Sequence, residues 1–274
     1  MEEKMNTKNR KVLTIVILLI FIISFLFSGC NLLQRRYEKV VTKNYTVSSS
    51  GKNILKIDND NGNIKIVNNS KDSNIYVRAD IKLHLTKREL KSENYENTAS
   101  IKIDSSDNEI KITSYYTIEK DIIKFGRKSI NINYTIEVPR HLDLEVENIN
   151  GDIVIRDNDG NIRISNINGD TELKSLTGKI FAELKNGKIK CELDSTKGIN
   201  LSAVNGKVDF RIGENFTGNF DIQTVNGKIK RETVNFSSIV SDKKSFKGSI
   251  GNTDTKVLIE TVNGNITITK RRDI

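Results

Sequence analysis

With 274 residues, 36% of them hydrophobic, the chain has room for one large or two modest domains but only for a thin or repetitive core. Two cysteines, Cys30 and Cys191, and two histidines, His84 and His141, exclude a disulfide framework, a four-cysteine zinc site and imidazole-rich chemistry. A net charge of +9 is a mild basic bias, short of a nucleic-acid footprint, and 29% charged residues exclude a chain embedded in a membrane throughout.

The chain opens with Lys4, Lys8, Arg10 and Lys11, then an apolar run from Val12 to Phe27 broken only by Thr14 and Ser24. Positive charge, an apolar stretch and then small residues make a bacterial secretion signal. The run ends in Leu26-Phe27-Ser28-Gly29-Cys30, and a Cys behind Ser-Gly resembles a lipobox. That resemblance implies a signal peptide over residues 1–29, cleavage between Gly29 and Cys30, and palmitate-type acyl chains carried by the Cys30 thiol. Phe27 stands where Leu is commoner in the motif, with Leu26 one position early. The alternative is an uncleaved membrane anchor, for which the run is short but adequate. Both readings place the rest of the chain outside the cytoplasm. The first makes it a lipoprotein whose partner is the cell membrane. Residues 30–44 then form a tether, where Arg35 and Arg36 would each gain about 1 kcal/mol beside anionic headgroups.

Residues 45–138 hold several alternating apolar and polar runs, such as Ile54 to Val67 and Asn74 to Leu85, and read as a looser N-terminal β region. Thr86 to Asn97 reads as one short helix, with Thr86 and Glu89 at capping-box spacing. Laid over one end, it would shield an exposed strand edge.

A repeat dominates residues 139–274. Gly151, Gly160, Gly169, Gly178 and Gly187 stand nine apart. Asn precedes every second one: Asn150-Gly151, Asn168-Gly169, Asn186-Gly187, then Asn205-Gly206, Asn226-Gly227 and Asn263-Gly264. After most of these glycines, apolar residues fall two and four places on, as at Ile153 and Ile155 or Ile189 and Cys191. That is period two, hence strand with one buried face. Gly, and Asn beside it, supply the positive φ of tight turns. An antiparallel meander with Asn-Gly hairpins is one solution. The other is an all-β solenoid of stacked two-strand coils, and the period favours it, because like residues recur at every second turn. Each coil would rest on the previous one, and the asparagines would form a ladder. Cys191 takes the inward parity of Ile189 and Leu193, as a small buried hydrophobe. Lys243 to Thr255 reads as a loop before a last coil, Lys256 to Thr269.

Taken together, Tyr134-Thr135-Ile136-Glu137-Val138-Pro139, the Asn-Gly units and the closing Thr261-Val262-Asn263-Gly264 resemble the bacterial "putative adhesin" domain family of β-strand-repeat proteins. The resemblance spans about residues 45–269. It implies a β-solenoid in an extracytoplasmic or envelope setting, no catalytic residues and no cofactor.

Catalytic signatures such as His-Glu-x-x-His or a phosphate loop do not occur. His84 reads as a solvent-facing strand residue and His141 as a residue at a strand start. Asp58-Asn59-Asp60-Asn61-Gly62 and Asp157-Asn158-Asp159-Gly160 offer oxygens, but neither completes a calcium loop, and turn chemistry alone explains them, so no metal is expected. The most suggestive surface is a column of residues just after each Asn-Gly and two places on. Its last coils gather Lys188, Lys190, Lys207, Lys228 and Lys230 as a face for an anionic envelope polymer or phospholipid surface. The plainer reading is that these lysines splay apart or pair with Asp209. The expected function is a non-catalytic cell-surface lipoprotein that binds or scaffolds, with an envelope polymer or another surface protein, not nucleic acid, as partner. The alternatives are a carbohydrate-acting β-helix enzyme, for which Asp152, Asp170 and Arg156 come nearest to a catalytic group, or, as the family resemblance alone implies, an accessory of an envelope-stress sensing system.

Overall fold

The computed structural model describes residues 37–68, 72–85, 87–91, 99–116 and 130–271. Gly29, Cys30, the apolar run before them, and Arg35 and Arg36 lie outside the described residues. No helix among the described residues is long and apolar enough to cross a membrane.

Each two-glycine unit of the sequence builds one coil. Strands β8 (Asp143–Asn150) and β9 (Ile153–Asn158) form one, followed by β10 (Ile162–Asn168) with β11 (Thr171–Leu176), β12 (Lys179–Asn186) with β13 (Ile189–Leu193), and β14 (Gly198–Asn205) with β15 (Val208–Ile212). The first strand of each pair lies in one sheet (sheet B) and the second in the facing sheet (sheet A). Every strand pairs in parallel with its counterpart one coil on. The fold is all-β and solenoid-like, as the repeat predicts.

Alternation decides which side is inside. Leu144, Val146, Ile162, Ile164, Ile180 and Leu201 of sheet B meet Ile153, Ile155, Leu173, Ile189, Cys191 and Phe210 of sheet A, none more than 2% exposed. Burying each larger side chain contributes roughly 1.5–3 kcal/mol. One inward row per strand suffices, which is why a chain of modest hydrophobic content folds.

The coils do not all stack in sequence order. After β16 (Gly218–Asn226) and β17 (Ile229–Glu232), the segment expected to be a loop carries strand structure. β18 (Ser237–Ser241) and β19 (Ser245–Ile250) pair antiparallel, and β19 covers the outer edge of β16. The chain then crosses β16, held by Asn219, whose N–H donates to Thr255 O at 2.8 Å. The last strands, β20 (Lys256–Asn263) and β21 (Ile266–Lys270), insert between β14–β15 and β16–β17. The final coil in sequence is therefore the penultimate rung in space.

The N-terminal end repeats this device. β2 (Ile54–Asn61) and β3 (Ile64–Asn68) stack on β8 and β9, but the later β6 (Glu109–Tyr116) and β7 (Ile130–Val138) lie outside them. β1 (Tyr37–Ser48) and β4 (Asn74–Leu85) extend sheet A, and β5 (Ala99–Ser105) extends sheet B, all by antiparallel pairing. Residues 37–44, expected in the tether, are thus part of the sheet. The short helix is α1 (Lys87–Lys91), with Leu90 packed against the core; Thr86 and residues 92–97 lie outside the described residues.

Candidate functional site

The Asn-Gly corner is one continuous edge. Side-chain Nδ2 groups donate to the Oδ1 of the rung before: Asn150 to Asn61 at 2.9 Å, Asn168 to Asn150 at 2.8 Å, Asn186 to Asn168 at 2.9 Å, and Asn205 to Asn186 at 3.0 Å. Asn263 then donates to Asn205 at 2.8 Å, and Asn226 to Asn263 at 2.9 Å. The ladder thus follows spatial order through the inserted coil. The glycines beneath are fixed by crowding as much as by φ. A Cβ on Gly169 (φ +135°) would lie 2.2 Å from Gly151 O, and one on Gly206, which lacks a left-handed φ, would lie 1.7 Å from Gly187 O.

A second, inner row was not separated from the first by sequence reasoning. Asn59, Asn148 and Asn166 are at most 3% exposed and serve the corner carbonyls. Asn148 Nδ2 donates to Gly62 O and Gly151 O, while its Oδ1 accepts from Asn59 Nδ2. Further along, Leu184 and Ala203 occupy this register, and then Thr261 and Thr224, whose hydroxyls donate to Gly206 O and Gly264 O. The signal was the Asn two places before Asn-Gly at Asn148 and Asn166. Outside the ladder, Ile149, Ile167, Val204, Val262 and Val225 are exposed in one row, with Lys185 between Ile167 and Val204.

The five lysines of the expected basic column share the outer face of sheet A but are interrupted. The inserted coil puts Asn265 between Lys207 and Lys228 and Thr267 between Asp209 and Lys230, while Asp209 of β15 itself separates Lys190 from that coil. Lys188 Nζ lies 2.6 Å from Asp209, and Lys190 Nζ lies 3.7 Å from Glu172. The residues nearest to a catalytic group are also engaged. Asp152 Oδ1 accepts from the Asp170 amide and Asp170 Oδ1 from the Lys188 amide, both at 2.8 Å, while Arg156 pairs with Glu172 at 2.6 Å.

Sheet B carries a groove of about 550 Å³ on its outer face. Its first row aligns one residue ahead of the paired Leu144, Ile162, Ile180, Ile199 and Val257: Asp143, Asn161, Lys179, Gly198 and Lys256. Two residues on, Glu145, Arg163, Phe181 and Asn200 form the second row. The Arg163 guanidinium carbon stands 4.6 Å from the centre of the Phe181 ring. Sequence reasoning missed this site because Lys256 reaches it only through the inserted coil.

Other titratable groups are structural in placement. Among the described residues, no three His, Cys, Asp or Glu side chains converge to hold a metal ion. Asp159 is taken up by Arg140 at 2.9 and 3.1 Å and by the Thr177 hydroxyl at 2.8 Å. His84 Nε2 lies 3.7 Å from Glu38, and His141 is exposed just before β8. Cys191 is fully buried, which pushes its thiol well above the usual range. Inside the N-terminal rungs, Ser114 Oγ and Tyr116 Oη donate to Asn59 Oδ1 at 2.7 and 3.0 Å, and Tyr134 Oη meets Ser114 at 2.8 Å. Burial pushes the Tyr116 phenol up to about 12 and raises that of Tyr134 too, so both stay neutral hydrogen-bonding groups.

Residues 141–269 match the model of the Toastrack DUF4097 family. Among solved structures, the chain is similar to a "putative cell adhesion protein" from Clostridium sporogenes ATCC 15579, at 13% identity and TM-score 0.48, over 86% of this chain and 100% of that one. It is also similar to a "putative adhesin" from Bacteroides fragilis NCTC 9343, at 16% identity and TM-score 0.34, over 85% and 97%. A third is a "putative lipid binding protein" from Parabacteroides distasonis ATCC 8503, at 11% identity and TM-score 0.26, over 85% and 97%. No curated protein matches the chain.

Proposed function

We propose that this chain is a non-catalytic binding protein of the bacterial cell surface, an adhesin or scaffold held on the membrane by a lipid on Cys30. The observation that supports this most is where the chain enters the stack. β1 starts at Tyr37 and is the outermost strand at one end of sheet A. The six residues between Cys30 and Tyr37 span at most about 20 Å. Ten strands at about 4.8 Å spacing carry the far edge, β17, some 40 Å along the stack. A lipid at one end and a stiff laddered body beyond it suit display of a binding face to the outside. The acids closest to a catalytic arrangement are spent on backbone amides, which favours binding over cleavage.

The test is fractionation of cells carrying the native chain or Cys30→Ala. The native chain is expected in the membrane fraction, acylated and accessible to protease on intact cells. Cys30→Ala is expected unacylated and uncleaved or shed. Unchanged processing and retention in Cys30→Ala would contradict the anchoring, and protection from external protease would contradict the surface role.

A further inference from the structure

We propose that the groove on sheet B binds a linear anionic glycan. The cellular setting rests on the surface-binding reading above, but the chemistry of the groove stands apart from it. Arg163, Lys179, Lys197 and Lys256 line the groove, and among the described residues none of them forms an ion pair. The lysines of sheet A differ, since Lys188 and Lys190 already have carboxylate partners. The carboxylates of the groove stand at its two ends. Asp143 accepts from the Asn161 amide and Nδ2, Glu145 pairs with Lys56 at 3.4 Å, and Asp254 precedes β20. The middle is left basic.

The shape suits a polymer. Gly198 removes a side chain between Lys179 and Lys256, two strand spacings apart, about 9.6 Å. The groove therefore runs along the stack axis, and a chain lying in it meets one cation after another. Phe181, half-buried, offers a ring face against which the C–H face of a sugar packs, while the guanidinium above it takes a carboxylate or phosphate. The Asn200 amide supplies a donor and an acceptor for hydroxyl groups. A peptide joining by strand addition finds no place here, since β10, β12 and β14 are paired on both sides.

Binding is measured on the full-length chain in non-ionic detergent. The probes are polygalacturonate, a phosphate-bearing mannan, neutral dextran, a single-stranded DNA oligonucleotide and phosphatidylglycerol vesicles. Expected is binding to a polyanionic glycan chain, weakened by salt and absent for dextran; the first two probes tell a carboxylate from a phosphate ligand. The triple variant Lys179→Gln, Lys197→Gln, Lys256→Gln should weaken it by about tenfold or more. Phe181→Ala should weaken it about threefold to tenfold. Lys188→Gln with Lys207→Gln and Lys228→Gln should leave it unchanged. If the triple variant loses its β circular-dichroism signal, the single change Lys256→Gln is read instead. Binding indifferent to the groove variants, no binding to either charged polymer, or tighter binding to DNA or vesicles overturns the proposal. Fractionation of Cys30→Ala reads the anchoring separately, so either idea can fail alone.

Discussion

Asn148 and Asn166 occupy the same inner register in adjacent rungs but carry different bonds. Asn148 donates to Gly62 O and Gly151 O and accepts from Asn59, so its loss strands buried partners on both sides. Asn166 donates only to Gly151 O at 3.0 Å, a carbonyl Asn148 also serves, and its Oδ1 has no partner. The next rung already places Leu184 there. Leaving a buried polar group unpaired costs about 1–3 kcal/mol, whereas a neutral hydrogen bond is worth about 1 kcal/mol net. Urea unfolding should therefore find Asn148→Leu destabilised by about 2–3 kcal/mol and Asn166→Leu by about 1 kcal/mol or less. Equal losses would show that the inner asparagines act as interchangeable fillers.

At the scale of the element, each coil has two corners fixed by different chemistry. The Asn-Gly corner is neutral and laddered, while the opposite corner varies: Arg140 grips Asp159 across one rung and Thr177 reaches it from the next, and one coil on the Thr196 hydroxyl donates to Gly178 O. The Arg140 guanidinium, and then the Thr177 hydroxyl, hold the Asp159 carboxyl below its ordinary value. A carboxylate depressed in the folded state contributes stability above its unfolded value, near pH 4, and loses it as pH falls through the folded value. Asp221 behaves alike through Lys247. The urea midpoint should drop between about pH 5 and pH 3, and Asp159→Asn should lower it at pH 6 while flattening the acid decline. An unchanged acid decline in Asp159→Asn would place the titration elsewhere. The outer ladder was legible in sequence because every rung from β2–β3 to β16–β17 keeps Asn-Gly. The inner row was not, because Asn, Leu, Ala and Thr all fill it at one register. The turn glycines were legible by position, but for Gly206, Gly227 and Gly264 the reason is a carbonyl 1.7 Å from any added Cβ rather than φ.

At the scale of the molecule, rung order is what sequence periodicity could not give. Coils that share one pattern can be exchanged in the stack without breaking a single local rule. One clue was present, since Thr224-Val225-Asn226-Gly227 and Thr261-Val262-Asn263-Gly264 are the only two such strings and lie side by side. Phe210, Phe216 and Phe220, with ring centres 5.5–6.3 Å apart, fill the core around the inserted coil, and Phe236 and Phe246 continue the cluster. The insertion has two consequences for function. It breaks up the lysines of sheet A, and it brings Lys256 opposite Lys179 to complete the groove of sheet B. Rung order therefore decides which face gathers its cations.

Oxidative cross-linking tests that order directly, in a Cys30→Ser background where Cys191 stays buried. Adjacent rungs, at about 4.8 Å, fall within disulfide reach, and rungs two apart, at about 9.6 Å, do not. Asn205→Cys combined with Asn263→Cys should form a disulfide rapidly in the folded chain, and Asn205→Cys combined with Asn226→Cys should stay reduced. Rapid bonding of the second pair with none in the first would put the coils in sequence order and contradict both the inserted coil and the groove it completes.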